Sequence, residues 1–107
     1  MKDSLKAILA PKVEPFELGP GAAVKIKELS LKERIAWRAA SVLEDGKLSD
    51  DWIAQLLFRA VQDEAGDPLW ASAEEVDGSE SVLGRLREAC QKANGLAADS
   101  SKEAQGN

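Results

Sequence analysis

Few residues of this chain have side chains suited to catalysis. The sequence contains no histidine, so it lacks both the side chain that titrates closest to neutral pH and the commonest nitrogen ligand of metals. Its single cysteine, Cys90, has no second cysteine for a disulfide and no histidine to activate it as a nucleophile. Leu86 and Ala93 share its predicted helix face, which favours a buried structural thiol. The sequence therefore predicts a protein that is not an enzyme and has no cofactor.

The run Asp63-Glu64-Ala65-Gly66-Asp67 is the best candidate for a cation site. A calcium loop of the EF-hand type needs oxygen ligands at alternating positions, Gly at the sixth and Glu at the twelfth. Counted from Asp63, the third residue is Ala65 and the sixth is Pro68, so the pattern fails although Glu74 is the twelfth. We interpret the run as a turn and predict no metal site.

The tryptophans are the strongest indication of a binding function. Trp supplies a large contact area with a polar edge and is enriched at interaction hot spots, and this chain has three. Trp37 lies on the flank of its predicted helix, where a core position and an exposed partner contact are equally good interpretations. Trp52 and Trp70 are better explained as residues of the core or its edge. The candidate partner-binding residues are Trp37, Trp52, Phe58, Leu69 and Trp70.

The charge of the chain argues against nucleic acid as a partner. Fourteen Lys and Arg residues face nineteen Asp and Glu residues, for a net charge of -5. Residues 61–80, the acidic segment, hold seven acids and no base: Asp63, Glu64, Asp67, Glu74, Glu75, Asp77 and Glu80. Such a segment indicates either a solvated face with helix-start carboxylates or a surface for a basic partner or a cation.

Length and hydropathy indicate one small soluble domain. A chain of 107 residues is long enough for one domain and too short for two ordinary ones. The longest apolar run, residues 7–10, cannot span a membrane, and the start of the chain does not have the pattern of a secretory signal. We therefore expect no membrane partner, and the unpaired cysteine fits a reducing cytoplasm.

The N-terminal part of the chain is predicted to form a short helix and a hairpin. Asp3 or Ser4 can cap a helix that runs to about Leu9 and ends before Pro11. Residues 13–29 read as a β-hairpin, with its turn at Gly19-Pro20-Gly21 and an alternating strand over residues 24–27. The first helix is too short to be stable alone, so it must dock on something or fray.

Helical patterns follow the hairpin. Ser30 and Glu33 form a capping box that opens a helix to about Leu43 or Glu44, and its apolar stripe is Leu31, Ile35, Ala39 and Val42. The next helix begins at Ser49 or Asp50, runs to about Asp63 and is apolar enough to form the centre of the core. A short helical turn follows from Ser72 to about Val76. Ser79 caps a last helix over residues 80–93, which ends at Asn94-Gly95.

The predicted fold is mainly α, of the α+β class. A small N-terminal β-hairpin packs on about three main helices and a short helical turn. We predict a single domain over residues 1–96, made of an N-terminal segment (1–12), the hairpin (13–29) and a helical part (30–96). Residues 97–107 have the composition of a disordered tail.

The order of these segments resembles the tail assembly chaperones of long-tailed bacteriophages. The resemblance covers residues 5 to 96 and is carried by four stretches: the opening LKAILA, the hairpin EPFEL and AVKIKELS, the stretch LLFRAVQDEAGDPLW, and the ending LREACQKANGL. In the family the third stretch is an apolar helix, an Asp-Glu-x-Gly turn and a Leu-Phe pair. Leu18-Gly19 stands here where the family has a Trp-Gly pair.

This resemblance implies a function. Such chaperones coat the tape measure protein, a long helical chain that is insoluble alone, and recruit tail tube subunits that displace them. The resemblance therefore implies a non-catalytic protein of the host cell cytoplasm, absent from the mature virion. Its partners would be the tape measure protein, the major tail tube protein and other copies of itself in a homo-oligomer. Two other hypotheses stay open: a structural tail connector kept in the virion, and a small bacterial adaptor or regulatory domain.

Overall fold

The computed structural model describes residues 2–96, which form four α-helices and a three-stranded antiparallel sheet, as the predicted α+β class requires. In chain order the elements are α1 (Lys2–Leu9), β1 (Val13–Gly19), β2 (Ala22–Lys27), α2 (Leu31–Ser41), α3 (Trp52–Ala60), β3 (Val61–Gln62), a 3₁₀ turn (Ala73–Glu75) and α4 (Glu80–Ala93). The predicted tail, residues 97–107, lies outside the described residues. Within residues 2–96, no helix has the length and apolar character needed to cross a membrane.

The predicted hairpin is confirmed and forms most of the sheet. β1 and β2 are antiparallel, with Phe16 opposite Val24, and Gly21 has the positive φ of 73° that the turn between them requires. Val24 and Ile26 are buried and carry the sheet's contribution to the core. The third strand, β3, was not predicted. It is only two residues long, and its Val61 continues the apolar pattern of the preceding helix.

α3 lies at the centre of the core, as its apolar sequence predicts. Leu56, Leu57 and Ala60 are fully buried, and α2, α4, β2 and the 3₁₀ turn all contact this helix. The helix is shorter than expected: Asp51 occupies the N-cap position, and the chain leaves the helix at Val61 to pair with Ile26 of β2. Strand pairing replaces helical hydrogen bonds over the last predicted turn.

α2 presents the opposite side to the core from the one its apolar stripe predicts. Trp37 and Ser41 are its buried residues, whereas Leu31 is 77% exposed and Ile35 is 59% exposed. The expectation that Leu31, Ile35, Ala39 and Val42 form the buried face is therefore wrong. Turning Trp37 inward buries the largest side chain of the helix and gives its indole N–H an acceptor.

α2 also ends earlier than predicted. Its capping box is present, since Ser30 and Glu33 exchange both hydrogen bonds, but the helix stops at Ser41 instead of residue 43 or 44. Val42 leaves the helix in an extended conformation and forms a β-bridge with Leu48. In contrast, α4 begins and ends as predicted, with Ser79 at its N-cap and Gly95 at positive φ after Asn94.

Candidate partner-binding surface

The candidate residue Trp37 is part of the core. Its side chain is only 5% exposed, and its Nε1–H donates a hydrogen bond of 3.2 Å to the carbonyl oxygen of Trp52. The Arg34 guanidinium lies 5.8 Å from the centre of the indole ring. The interpretation of Trp37 as an exposed anchor is therefore wrong. Helical periodicity alone did not reveal this, because Trp37 sits next to a longer and more regular apolar stripe.

The other candidate residues lie between core and surface. Trp52 and Trp70 are half-buried and pack against the core, and Phe58 is half-buried with the Arg59 guanidinium 4.4 Å from its ring centre. Leu69 is 42% exposed and lies within the acidic segment. These four residues do not include the most exposed apolar side chains of the fold. Contact of Trp52, Phe58, Leu69 and Trp70 with a partner stays a prediction.

The exposed apolar surface is concentrated in the first half of the chain. Among the described residues, ten large apolar side chains are exposed, and nine of them lie between residues 5 and 48: Leu5, Ile8, Leu9, Val13, Leu31, Ile35, Val42, Leu43 and Leu48. Scattered exposed apolar residues are ordinary in proteins, but this part of the chain holds most of those in the described residues and is the first place to look for a partner contact. The sequence reveals the stripe but not its exposure, because an apolar stripe looks the same whether its own core or a partner covers it.

One part of this surface is a hydrogen-bonded loop after α2. We call Val42, Leu43 and Leu48 the apolar loop. Backbone hydrogen bonds close it at both ends, from Leu43 N–H to the Lys47 carbonyl at 2.8 Å and from Ser49 N–H to the Ser41 carbonyl at 2.7 Å. All three side chains are exposed nonetheless. Hydrogen bonds therefore restrain the backbone of the loop while its three apolar side chains face solvent, and a restrained backbone lowers the entropic cost of binding.

Carboxylates border the apolar loop. Glu44 and Asp45 are exposed at its tip, and the Asp45 carboxylate accepts a hydrogen bond of 3.0 Å from Lys47 N–H. Asp51 follows at the start of α3, where hydrogen bonds from Gln55 and Ser49 hold the pKa of its carboxyl below the ordinary value. The apolar loop therefore has carboxylates at its tip and at the start of the helix that follows it, with one base, Lys47, between them.

A second part of the surface is the solvent-facing side of α2. We call Leu31, Ile35 and Ala39 the outer stripe; all three are exposed and successive along the helix. α1 adds a third part, since none of its residues is buried and Ile8 is 78% exposed. Neither helix face has a covering element in the described part of the chain. Both are available to a partner.

Residues 63–67 form a turn, as the sequence predicted for the run that was the best candidate for a cation site. The Asp63 carboxylate accepts hydrogen bonds from the N–H groups of Ala65 and Asp67, at 2.9 and 3.0 Å. Asp63 therefore has a structural role, which is to hold the turn together. Gly66 supplies the positive φ of the turn. Within residues 2–96, no three His, Cys, Asp or Glu side chains are grouped so as to hold a metal ion.

The only thiol is buried in the core. Cys90 has no exposed surface, and burial raises the pKa of its thiol to about 12. A thiol with this pKa is almost entirely protonated at neutral pH, and the thiolate is the reactive form. Cys90 is therefore a packing residue of the core, in agreement with the prediction of a structural thiol.

A groove runs between the hairpin and α4, and Arg85 closes the sheet edge beside it. The guanidinium donates hydrogen bonds to the carbonyl oxygens of Glu17 and Leu18, at 3.0 and 3.1 Å, and lies 5.5 Å from the centre of the Phe16 ring. Pro15, in the middle of β1, has no N–H to donate. The edge of β1 is therefore protected against an added strand.

Comparison with known proteins gives one match, to a solved structure. No protein-family model matches the sequence, and no curated protein does. The fold is similar to that of the tail assembly chaperone of bacteriophage HK97, with a TM-score of 0.58 and 18% sequence identity. The similarity covers 85% of this chain and 97% of that chain, so it extends over the hairpin and helices together. The resemblance predicted from the sequence is thereby confirmed at the level of the fold: this chain has a phage tail assembly chaperone fold.

Proposed function

We propose that this chain is a non-catalytic chaperone of phage tail assembly that binds the tape measure protein and recruits tail tube subunits. The fold similarity supports a chaperone role in general. The observation that carries the proposal is the apolar loop, in which Val42, Leu43 and Leu48 are exposed and Glu44 and Asp45 form the tip. A protein that binds long amphipathic helices needs such a surface.

The physical properties of the surface fit temporary binding. Apolar side chains on a closed loop can cover the apolar stripe of a helix without sequence-specific contacts, as a partner with a long repeating helical surface requires. The net charge of -5 keeps a coated complex soluble. A contact made by three side chains is small. Small contacts give modest affinity and fast release, so that tube subunits can replace the chaperone as they polymerise.

The acidic segment is the surface we assign to the tail tube subunits. Leu69 is its exposed apolar residue, and Trp70 beside it is half-buried. A site separate from the apolar loop would allow one chaperone to hold both partners. The protein would act in the host cell cytoplasm, would form a homo-oligomer and would be absent from the finished virion.

The proposal is tested by co-expressing the tape measure protein of the same phage with and without this chain. We expect soluble tape measure protein, recovered in a complex with the chain, only when the chain is present. Tape measure protein that stays insoluble in both cases, with no complex formed, contradicts the proposal. Mass spectrometry of purified virions tests the last part: a structural connector would be present in fixed copy number, whereas the chaperone should be missing.

A further inference from the structure

The end of α4 contains an Asn-Gly pair, Asn94-Gly95, at the point where the helix stops. Asn-Gly is the dipeptide that loses its side-chain amide most readily, because glycine has no side chain to hinder attack by its own backbone nitrogen. The pair has no part in the proposed function. The structure nevertheless fixes both residues in place, and this arrangement decides when the pair can react.

Both positions need the residue types that they hold. Gly95 has a positive φ of 67°, a conformation that favours glycine. Asn94 is only 8% exposed, and its Oδ1 accepts a hydrogen bond from the N–H of Leu29. Its Nδ2 donates to the carbonyl oxygens of Cys90, at 2.9 Å, and Lys27, at 3.4 Å. An aspartate at this position could accept but not donate, so the fold requires a reactive pair at the end of α4.

The loss of the amide proceeds through a cyclic imide. The backbone nitrogen of Gly95 attacks Cγ of Asn94, the new N–Cγ bond replaces the Cγ–Nδ2 bond, and the proton of the attacking nitrogen leaves with the amide as ammonia. Water then opens the ring. Cleavage of the N–Cγ bond gives aspartate, whereas cleavage between the nitrogen and the backbone carbonyl carbon gives isoaspartate. Both products carry a carboxylate where the amide was.

Several features of the fold oppose ring closure. A ψ of 10° at Asn94 places the Gly95 nitrogen beside the backbone nitrogen of Asn94 and away from its Cβ. The Arg34 guanidinium donates a hydrogen bond of 2.9 Å to the Asn94 carbonyl oxygen, so a rotation about ψ breaks this bond. The Gly95 N–H donates to the carbonyl of Lys92 at 3.4 Å. Both hydrogen bonds from the amide must also break before Cγ can turn toward Gly95.

We propose that Asn94 is a deamidation site controlled by the fold: it is protected while the end of α4 is bound to α2 and β2, and it reacts when that contact opens. The product cannot restore the contact, because a buried carboxylate would face the carbonyl oxygens of Cys90 and Lys27 without a proton to donate. Chains that open for a long time therefore lose stability permanently, whereas folded chains keep it. This inference does not depend on the proposed function.

The first test follows deamidation of the full chain in mildly alkaline buffer, with and without guanidinium chloride. The tryptic peptide of residues 93–102 has Asn94 as its only amide side chain, so its gain in mass measures the reaction directly. A sample digested at time zero corrects for reaction during digestion. The folded chain should react at least roughly a hundredfold more slowly than the denatured chain, because the reaction waits for an opening of the fold. Equal rates would overturn the proposal.

The second test weakens the contact at one hydrogen bond. Arg34→Ala removes the donor to the Asn94 carbonyl and should raise the rate in buffer at least about fivefold, because the contact then opens more often. Arg38→Ala is the matched control: it removes an exposed arginine from the same helix and should react like the wild type. All three proteins should react at the same rate in guanidinium chloride. Equal rates of the two variants in buffer would show that this contact does not protect Asn94.

The third test concerns the product. Chain held in guanidinium chloride until the peptide of residues 93–102 is fully converted is diluted to refold, and its unfolding is measured by tryptophan fluorescence. It should unfold at a lower denaturant concentration than chain that was denatured only briefly. Asn94→Asp, which has the carboxylate without isoaspartate, should also unfold earlier than the wild type. Converted chain and Asn94→Asp that are both as stable as the wild type would overturn the permanent loss.

Discussion

The backbone N–H of Leu29 donates a buried hydrogen bond of 2.7 Å to the side-chain Oδ1 of Asn94, 65 positions further along the chain. The same amide donates from Nδ2 to the carbonyl of Cys90 at 2.9 Å, and the Asn94 carbonyl accepts from Arg34 at 2.9 Å. One residue thus joins the end of α4 to the connection between β2 and α2. This junction fixes the direction in which α2, and therefore the outer stripe and the apolar loop, leave the sheet.

We predict that Asn94→Ala destabilises the domain by about 2 kcal/mol, because it leaves the buried Leu29 N–H without an acceptor. The measurement is urea denaturation followed by tryptophan fluorescence. Gln91→Ala is the comparison, since Gln91 makes one partly buried hydrogen bond, to the Leu96 carbonyl, and should cost less than half as much. Equal losses in the two variants would contradict the central role of Asn94.

Because α2 turns Trp37 toward the core and Ile35 toward solvent, truncating these two side chains should change the free energy of unfolding by very different amounts. Trp37→Ala should lower the free energy of unfolding by about 3 to 5 kcal/mol, because it removes a large buried side chain. Ile35→Ala should change it by less than about 0.5 kcal/mol, since its side chain is exposed. Chemical denaturation of both variants measures the difference. A large loss at Ile35 with a small one at Trp37 would mean that the helix faces the other way.

The carboxyl of Glu33 should contribute to the stability of the fold in a way that depends on pH. Partial burial raises the pKa of its carboxyl, but hydrogen bonds from Lys27 and from Ser30 outweigh that effect, and the net pKa lies below the ordinary value of 4.5. A carboxyl with a lowered pKa stabilises the folded state above its unfolded pKa, and this contribution is lost as pH falls through the folded value. The main partner of the Glu33 carboxylate is Lys27, whose Nζ forms an ion pair of 2.6 Å with it.

Glu33→Gln should therefore be less stable than the wild type by about 1 kcal/mol or less at pH 7, since the ion pair is only partly buried. The difference should shrink as pH falls below about 4.5 and vanish at about pH 2, where the carboxyl is protonated. Thermal unfolding of both proteins between pH 2 and 7 tests this. A difference that stays constant over the whole range would show that the charge of Glu33 has no part in it.

Cys90 should be unreactive in the folded protein. Its burial and its pKa of about 12 leave almost no accessible thiolate at pH 8. We expect a thiol reagent of the disulfide-exchange type to label it only at the rate of unfolding, and at once in denaturant. Complete labelling of the native protein within seconds would contradict the buried position.

Local signals in the sequence predicted the helices and the hairpin of this fold better than they predicted which side of a helix packs against the core. The capping box of Ser30 and Glu33, the turn at Gly21 and the cap at Ser79 are short-range interactions, so they were readable from neighbouring residues. The orientation of α2 depends on the acceptor that Trp52 offers to Trp37, which is a tertiary contact. β3 likewise exists only because β2 lies beside it.

The candidate site was predictable only in outline. Trp37 was a candidate partner contact and belongs to the core, whereas the apolar loop, which follows its helix, was not among the candidate residues. The stripe of Leu31, Ile35 and Ala39 was visible as a pattern and was assigned to the interior. Sequence periodicity identifies an apolar face and contains no information on whether the same domain or another protein covers it.

The most direct test of the account uses the apolar loop in the co-expression assay. Leu43→Asp/Leu48→Asp places two charges on the surface proposed to hold the tape measure protein, and Val13→Asp is the matched control outside it. The account predicts soluble tape measure protein with the wild type and with Val13→Asp, and at least a tenfold loss with the loop variant while its circular dichroism is unchanged. Full solubilisation by a folded loop variant would contradict it.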